Sequence, residues 1–238
     1  MKLLLVIALS LVGFSASVAG APQLLIYTEN SPPYQFVSDD KVQGLATQKV
    51  QEIVKRAGFT ATFTVYPWAR ALRQVEQSPK GLIYSIAKTP ERDQQFVWIA
   101  PVAAFELGVL SLKSASPERF SLPLDPHALS VAAQRGDIAA EWLLKQGFVE
   151  GDNLILCADI LCSWHQLKRG TVDFIIEDPN LIDETAALVG LTGADVMLQQ
   201  VIPALSVTGY LAANNAMDAD SVARLRQAAH ALGYHEER

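Results

Sequence analysis

The stretch QLLIYTENSPPYQFVSDDKVQGLATQKVQEIVKRAGFTATFTVYPWARALRQVEQSPKGLIYSI, residues 23–86, decides the fold, because its apolar residues change period repeatedly. Gln23 to Thr28 is a short apolar run stopped by Glu29 and the loop Asn30-Ser31-Pro32-Pro33, the pattern of a buried strand. From Gly44 to Ala57 the spacing becomes helical. Ala46, Val50, Ile53, Val54 and Ala57 share one face, and Gly58 stands where a helix should stop. Phe59 to Tyr66 alternates as a strand, and Pro67 opens a second helix striped by Trp68, Ala71, Leu72 and Val75. Gly81 to Ile86 reads as a third strand. Strand–helix–strand–helix–strand order predicts a mainly parallel sheet covered by helices.

The same grammar returns downstream. After Gly108 to Leu112 and the polar residues 114–126 come a strand at Leu129–Ala133 and a helix at Ile138–Gln146, capped by Asp137 and ended by Gly147. A strand at Leu154–Cys157, a short helix at Ser163–Arg169 and a strand at Thr171–Glu177 follow. Asp178-Pro179 then starts a helix to about Val189. Val201 to Ala213 returns to strand character, and Asp220 caps a last helix bearing Val222, Leu225, Ala229 and Leu232. Two α/β lobes result, with the chain crossing between them more than once.

Composition narrows the function. The 238 residues are 50% hydrophobic and 18% charged, a folded chain with a core to bury. Nineteen basic side chains face 25 acidic ones with no basic run, which argues against a nucleic-acid partner. At the N-terminus, Lys2, the apolar stretch Leu3 to Val12 and the small residues Ser15 to Ala19 predict a signal peptide over residues 1–19, cut after Ala19. No later stretch approaches the roughly 18 apolar residues of a membrane span. The mature product is expected to be soluble and exported.

In an exported chain, Cys157 and Cys162 predict an intramolecular disulfide, with two buried free thiols as the alternative. His127, His165, His230 and His235 lack ligand spacing, so no metal is expected. Phosphate-loop, dinucleotide, nucleophile-elbow and zinc-protease motifs are missing, and no cofactor is expected.

The run Glu29-Asn30-Ser31-Pro32-Pro33-Tyr34, then Gly44, then Thr89-Pro90-Glu91-Arg92 with Phe96 and Pro101, then Gly170-Thr171-Val172-Asp173 with Asp178, resembles the bacterial extracellular solute-binding proteins of family 3. The resemblance spans nearly the whole mature chain, in order. It implies a two-lobed periplasmic-binding-protein-like α/β fold of type II with a hinge of two crossing strands. Residues 20–109 plus 205–238 would form lobe 1 and residues 110–204 lobe 2. It further implies a periplasmic monomer that traps a small polar, amino-acid-like solute by hinge closure, for an inner-membrane ATP-driven (ABC) permease or a sensor. The alternative within the fold is a lyase like the cyclohexadienyl dehydratases, with Glu29 or Asp178 as general acid or base. A third reading is a protein-interaction domain that has lost solute binding.

By the same resemblance, Arg92 matches the arginine that forks onto a ligand α-carboxylate, and Asp178 the carboxylate that holds its ammonium. For Arg92 the bland alternative is a surface pair with Glu91 or Asp93, and for Asp178 a helix cap before Pro179. Ser85 and Ala87 match positions touching the ligand head group, Glu29 an acid selecting its side chain, and Trp68 a stacking aromatic that also fits a core stripe. Tyr34 either contacts ligand or packs. Arg70 reaches the cleft or solvent, and Arg135 could meet an anion at a helix start. Three departures stand out: Ala87 replaces a hydroxyl, Pro32 an aromatic, and Asp137 a Thr or Ser. Asp173 reads as structural.

Overall fold

The computed structural model describes residues 23–235, so the expected signal peptide lies outside the described residues. The chain runs β1 (Gln23–Thr28), β2 (Phe36–Ser38), β3 (Lys41–Gln43), α1 (Leu45–Arg56), β4 (Thr60–Val65), α2 (Trp68–Glu76), β5 (Gly81–Ala87) and β6 (Phe96–Leu112). It continues as β7 (Val131–Gln134), α3 (Ile138–Lys145), β8 (Leu154–Cys157), α4 (Ile160–Lys168), β9 (Phe174–Glu177), α5 (Ile182–Ala187), β10 (Val196–Asn214) and α6 (Ala219–Ala231).

Eight strands form one sheet in the order β4-β1-β5-β10-β6-β9-β7-β8. Within each βαβ unit the pairs are parallel: β1 with β4 and β5, β7 with β8 and β9. The sheet is nevertheless mixed, not mainly parallel. β6 and β10 pair antiparallel with each other, and they join the two parallel sets by antiparallel pairing with β9 and β5. Each of these two strands runs through both halves of the molecule. Only the last turn of β6, Gly108 to Leu112, is apolar enough to announce itself in the sequence. Pro101 and Glu106 break the pattern before it, yet both hold ladder positions.

The β6–β10 ladder changes register in its middle. Gly108 faces Val201 and Glu106 faces Ser206, so four residues of β10, Ile202 to Leu205, lie opposite Leu107 alone. Pro203, which has no N–H to give a ladder, falls inside this bulge. Apolar clusters fill both faces on either side of it. Ile26, Val50, Ile53, Leu82 and Leu225 seat α1 and α6 on one face, and Trp68, Val75, Ile83 and Ile86 seat α2 on the other. Beyond the bulge, Val131, Leu143, Phe148 and Phe174 seat α3, and Trp164, Leu167, Ile175 and Ala186 seat α4 and α5. Each large apolar side chain fully buried here contributes about 1.5–3 kcal/mol.

Local chemistry moves several element ends. Asp137 caps α3 as expected, accepting from Ala140 N at 2.6 Å. α4 begins at Ile160 instead of Ser163, because Asp159 accepts from Cys162 N and caps it earlier. The helix expected after Asp178 is a 3-10 turn, Pro179–Leu181, followed by the short α5. Asp218, not Asp220, caps α6 by accepting from Ser221 N, while Asp220 faces Arg224 one turn on. Asp173 spends its carboxylate on Ser130 N and Oγ and on Arg119.

Cys157 and Cys162 form a disulfide with their Cα atoms 5.6 Å apart. It ties the end of β8 to the first turn of α4. On the chain-entropy account a loop this short contributes about 2 kcal/mol. The double variant C157A/C162A should therefore lose about that much, read as a lower urea midpoint; an unchanged midpoint would show that the clip adds nothing.

Candidate functional site

Parallel strands of α/β sheets open their ligand crevices at their carboxyl ends. Here those ends, from both sides of the molecule, converge on one cavity of about 80 Å³, room for several waters or a small solute. Glu29 follows β1, Ser85 and Ala87 end β5, Gln134 ends β7, and Glu177 ends β9. Ser31 of the loop after β1, Asp137 at the start of α3, Ser163 of α4, and Trp68 and Arg92 complete the polar and aromatic lining, with Phe105, Leu107, Ile138, Ile160 and Ile176 among its apolar walls.

The two sides touch above the cavity. Gly136 adopts a positive φ of 75°, a conformation glycine takes without a Cβ penalty. Its carbonyl accepts from Trp68 Nε1 and from Arg92 Nη2, both at 2.9 Å. The same Arg92 nitrogen donates to Glu141 Oε1 at 2.7 Å, and Arg92 is only 5% exposed. Lys145 adds a rim ion pair to Glu91 at 2.6 Å. These contacts join the β5–β6 connection and α2 to α3, which belong to different parallel sets of the sheet.

Three carboxyls meet in the enclosed space. Burial, reinforced by the Asp137 charge, pushes Glu29 up to about 8, although Gln134 hydrogen-bonds it and Arg92 opposes the shift. Burial likewise raises Glu177 to about 8, with Glu29, Asp178 and Asp137 adding repulsion against the Asp178 N–H that it accepts. Asp137 rises to about 7, again chiefly by burial. Removing water from an anion disfavours its charged form, and like charges nearby compound the effect. Several acceptors here lack a donor: Glu29 Oε2, Gln134 Oε1 and Ser163 Oγ are buried and unpartnered.

Ser85 sits at a positive φ of 61°, uncommon outside glycine, and donates to Gln35 Oε1 at 2.8 Å. Its hydroxyl is thereby turned toward the 31–35 loop. Of the residues expected to contact ligand, Glu29, Ser85, Trp68 and Arg92 surround the cavity. Asp178 does not line it. Its carboxylate accepts from Asn180 N and from Glu106 N of β6, holding the 3-10 turn against the long strand. Tyr34 packs edge-on to Phe105 and donates to Ala104 O. Arg135 pairs with Glu150 at 2.5 Å on the half-exposed surface, and Arg70 lies exposed over the Tyr66 ring at 4.0 Å.

Glu177, Gln134, Ser163 and Glu141 escaped the sequence reading. The first two had a usable signal: like Glu29, each is the first polar residue after the apolar run of a parallel strand. Glu141 lies one helical turn after Asp137, but nothing local says that an arginine 49 residues away will reach it.

Residues 24–204 match the bacterial extracellular solute-binding proteins, family 3. Among solved structures, a histidine kinase sensor domain with similarity to periplasmic binding proteins superimposes with a TM-score of 0.72 at 17% identity, over 90% of this chain and 91% of that one. Holo ArgBP from T. maritima gives 0.72 at 18%, over 89% and 90%. A Salmonella typhimurium periplasmic binding protein with high arginine specificity gives 0.71 at 17%, over 89% and 93%. At such identities the likeness concerns the fold, which is the two-lobed α/β fold of periplasmic binding proteins. No curated protein sequence matches the chain.

The buried carboxyls set a pH dependence. Glu29, Glu177 and Asp137 hold protons in the folded state up to about 8, 8 and 7, against ordinary values of 4.5, 4.5 and 3.8. The folded state thus binds more protons across this window, and its stability falls as pH rises through it, by up to about 1.4 kcal/mol per pH unit for each proton retained. The ion-paired Glu91 and Asp173, whose values are lowered, titrate below it. Urea midpoints of the ligand-free protein should decline from pH 5 to 8, and Glu29→Gln should flatten the decline; a flat wild-type profile would refute the burial argument.

Proposed function

The chain belongs to the bacterial extracellular solute-binding proteins, family 3, and on that premise we propose that it captures a small polar, amino-acid-like solute in the cavity between its lobes by hinge closure. One observation carries this reading. Trp68 and Arg92 from one side and Gly136 and Glu141 from the other meet over a cavity lined with both polar and apolar groups. The lobes divide near residues 109/110 and 204/205, close to the bulge opposite Leu107, where a break in the ladder can absorb a hinge rotation. Signal-peptide cleavage near Ala19 delivers the mature protein, a monomer, to the periplasm. There it hands its solute to an inner-membrane ABC permease or reports it to a sensor.

In this reading Glu29, Glu177, Asp137 and Ser85 face the solute, Trp68 walls it in, and Arg92 bolts the lobes together. A second reading, a lyase of the same fold, draws on Glu29 and Glu177, which burial keeps protonated near neutral pH and able to donate a proton. Native mass spectrometry of the protein purified from its own host separates the two. One unchanged small molecule per chain supports the receptor, whereas conversion of a prephenate- or arogenate-like compound supports the lyase. Arg92→Ala should weaken retention of the carried molecule by about 1.5–3 kcal/mol, the worth of a charged hydrogen bond between a buried arginine and a half-buried partner. Equilibrium dialysis measures this, and an unchanged affinity would remove Arg92 from the closure.

A further inference from the structure

A carboxylate-bearing solute needs an anion receptor, and four candidate receptors around this cavity are partly engaged, capped or missing. Arg92 keeps Nε and Nη1, but its Nη2 is spent on Glu141 Oε1 and the Gly136 carbonyl, and the Glu141 carboxylate next to the guanidinium already balances its charge. The amide cluster at the start of α3 would otherwise attract an anion, but the chain's own Asp137 caps it through Ala140 N. Ala87 lines the cavity with a methyl group and no hydroxyl. Ser85 donates its hydroxyl to Gln35.

The groups without partners are of the opposite kind. Gln134 Oε1 is a pure acceptor, Glu29 Oε2 becomes one when the carboxyl ionises, and Ser163 Oγ can accept or donate. Gln134 is 8% exposed and Ser163 1%, so these are deeply buried atoms on the cavity wall, and leaving them unpaired is costly. With Glu29, Asp137 and Glu177 against Arg92 alone, the lining carries an excess of negative charge when ionised. Only a solute that brings N–H donors and positive charge satisfies both the orphaned acceptors and the excess acids.

We infer that the solute is a small organic cation with ammonium or guanidinium groups and no carboxylate, a diamine or guanidino-amine. This rests on the reading of the cavity as a solute site, and it narrows that reading away from α-amino acids. Ile138, Ile160 and Ile176 supply apolar wall against which the methylenes of such an amine would lie. Protons held by the cavity carboxyls in the ligand-free state leave as the cation enters.

Isothermal titration calorimetry on unfolded and refolded, ligand-free mature protein tests this with matched pairs: arginine against agmatine, ornithine against putrescine, lysine against cadaverine. In at least one pair the decarboxylated member should bind at least tenfold tighter than its parent, release protons, and tighten as pH rises from 6 to 8. Glu141→Gln, which frees Arg92 and removes one acid, should shrink that ratio; Glu177→Gln should weaken the amine more than the amino acid. Tighter binding of the parent amino acid throughout, or of a neutral or acidic amino acid, overturns the inference while the receptor reading stands. Failure of all six compounds and of the full set of common amino acids overturns both.

Discussion

Everything in this molecule hangs on the antiparallel pairing of β6 with β10. Each strand passes through both halves, so the two parallel βαβ sets share a continuous ladder in place of a flexible linker. A ladder is stiff where its hydrogen bonds are regular. Here the widest of four interruptions is where Ile202 to Leu205 loop out opposite Leu107, and Pro203 ensures that one of those residues has no donor. The bulge lies beside the cavity wall formed by Phe105 and Leu107. Any rotation of one half against the other therefore acts directly on the space between them. Asp178 reinforces the same place by anchoring the end of β9 to Glu106.

Closing that space has an electrostatic cost. Glu29, Asp137 and Glu177 are each brought to the end or start of an element by ordinary secondary-structure rules, and each would be unremarkable in water. Brought together and dried, they resist ionisation. The compensation is local and partial. Gln134 beside Glu29 opposes its shift, the Ala140 amide of α3 holds Asp137, and Arg92 favours the charged form of both acids while being pinned by Glu141. The Gly136 carbonyl, exposed by its left-handed backbone, ties Trp68 and Arg92 to the opposite lobe without adding charge. The contact across the two halves and the acids beneath it are thus linked, because the arginine paired with Glu141 is the cation that tempers them.

Much of the fold was legible in advance for a plain reason: apolar periodicity is dictated by burial. The α1 face of Ala46, Val50 and Ile53, the alternation before Tyr66, and the Asp137 cap all read correctly from neighbours in the chain. Misreadings occurred where the signal was non-local. β6 was cut to its last five residues because Pro101 and Glu106 interrupt its pattern, although a long partner strand tolerates both. Without a full-length β6 the sheet reads as mainly parallel, whereas its antiparallel pairing with β10 and β9 makes it mixed. At the last helix the nearer of two aspartates took the cap, since only backbone geometry distinguishes Asp218 from Asp220.

By itself the sequence determined the α/β grammar, the family resemblance and which strand ends carry polar groups, since these depend on residue type and short-range spacing. The tertiary structure alone decided what those polar groups meet. Arg92 and Glu141 are partners because the β5–β6 connection meets α3; Glu177 ends β9 at the cavity, whereas Asp178, just past the strand, turns to cap the 3-10 turn and to bind Glu106 N. The acidity of the cavity exists only once water has been removed from around carboxyls that the chain keeps far apart.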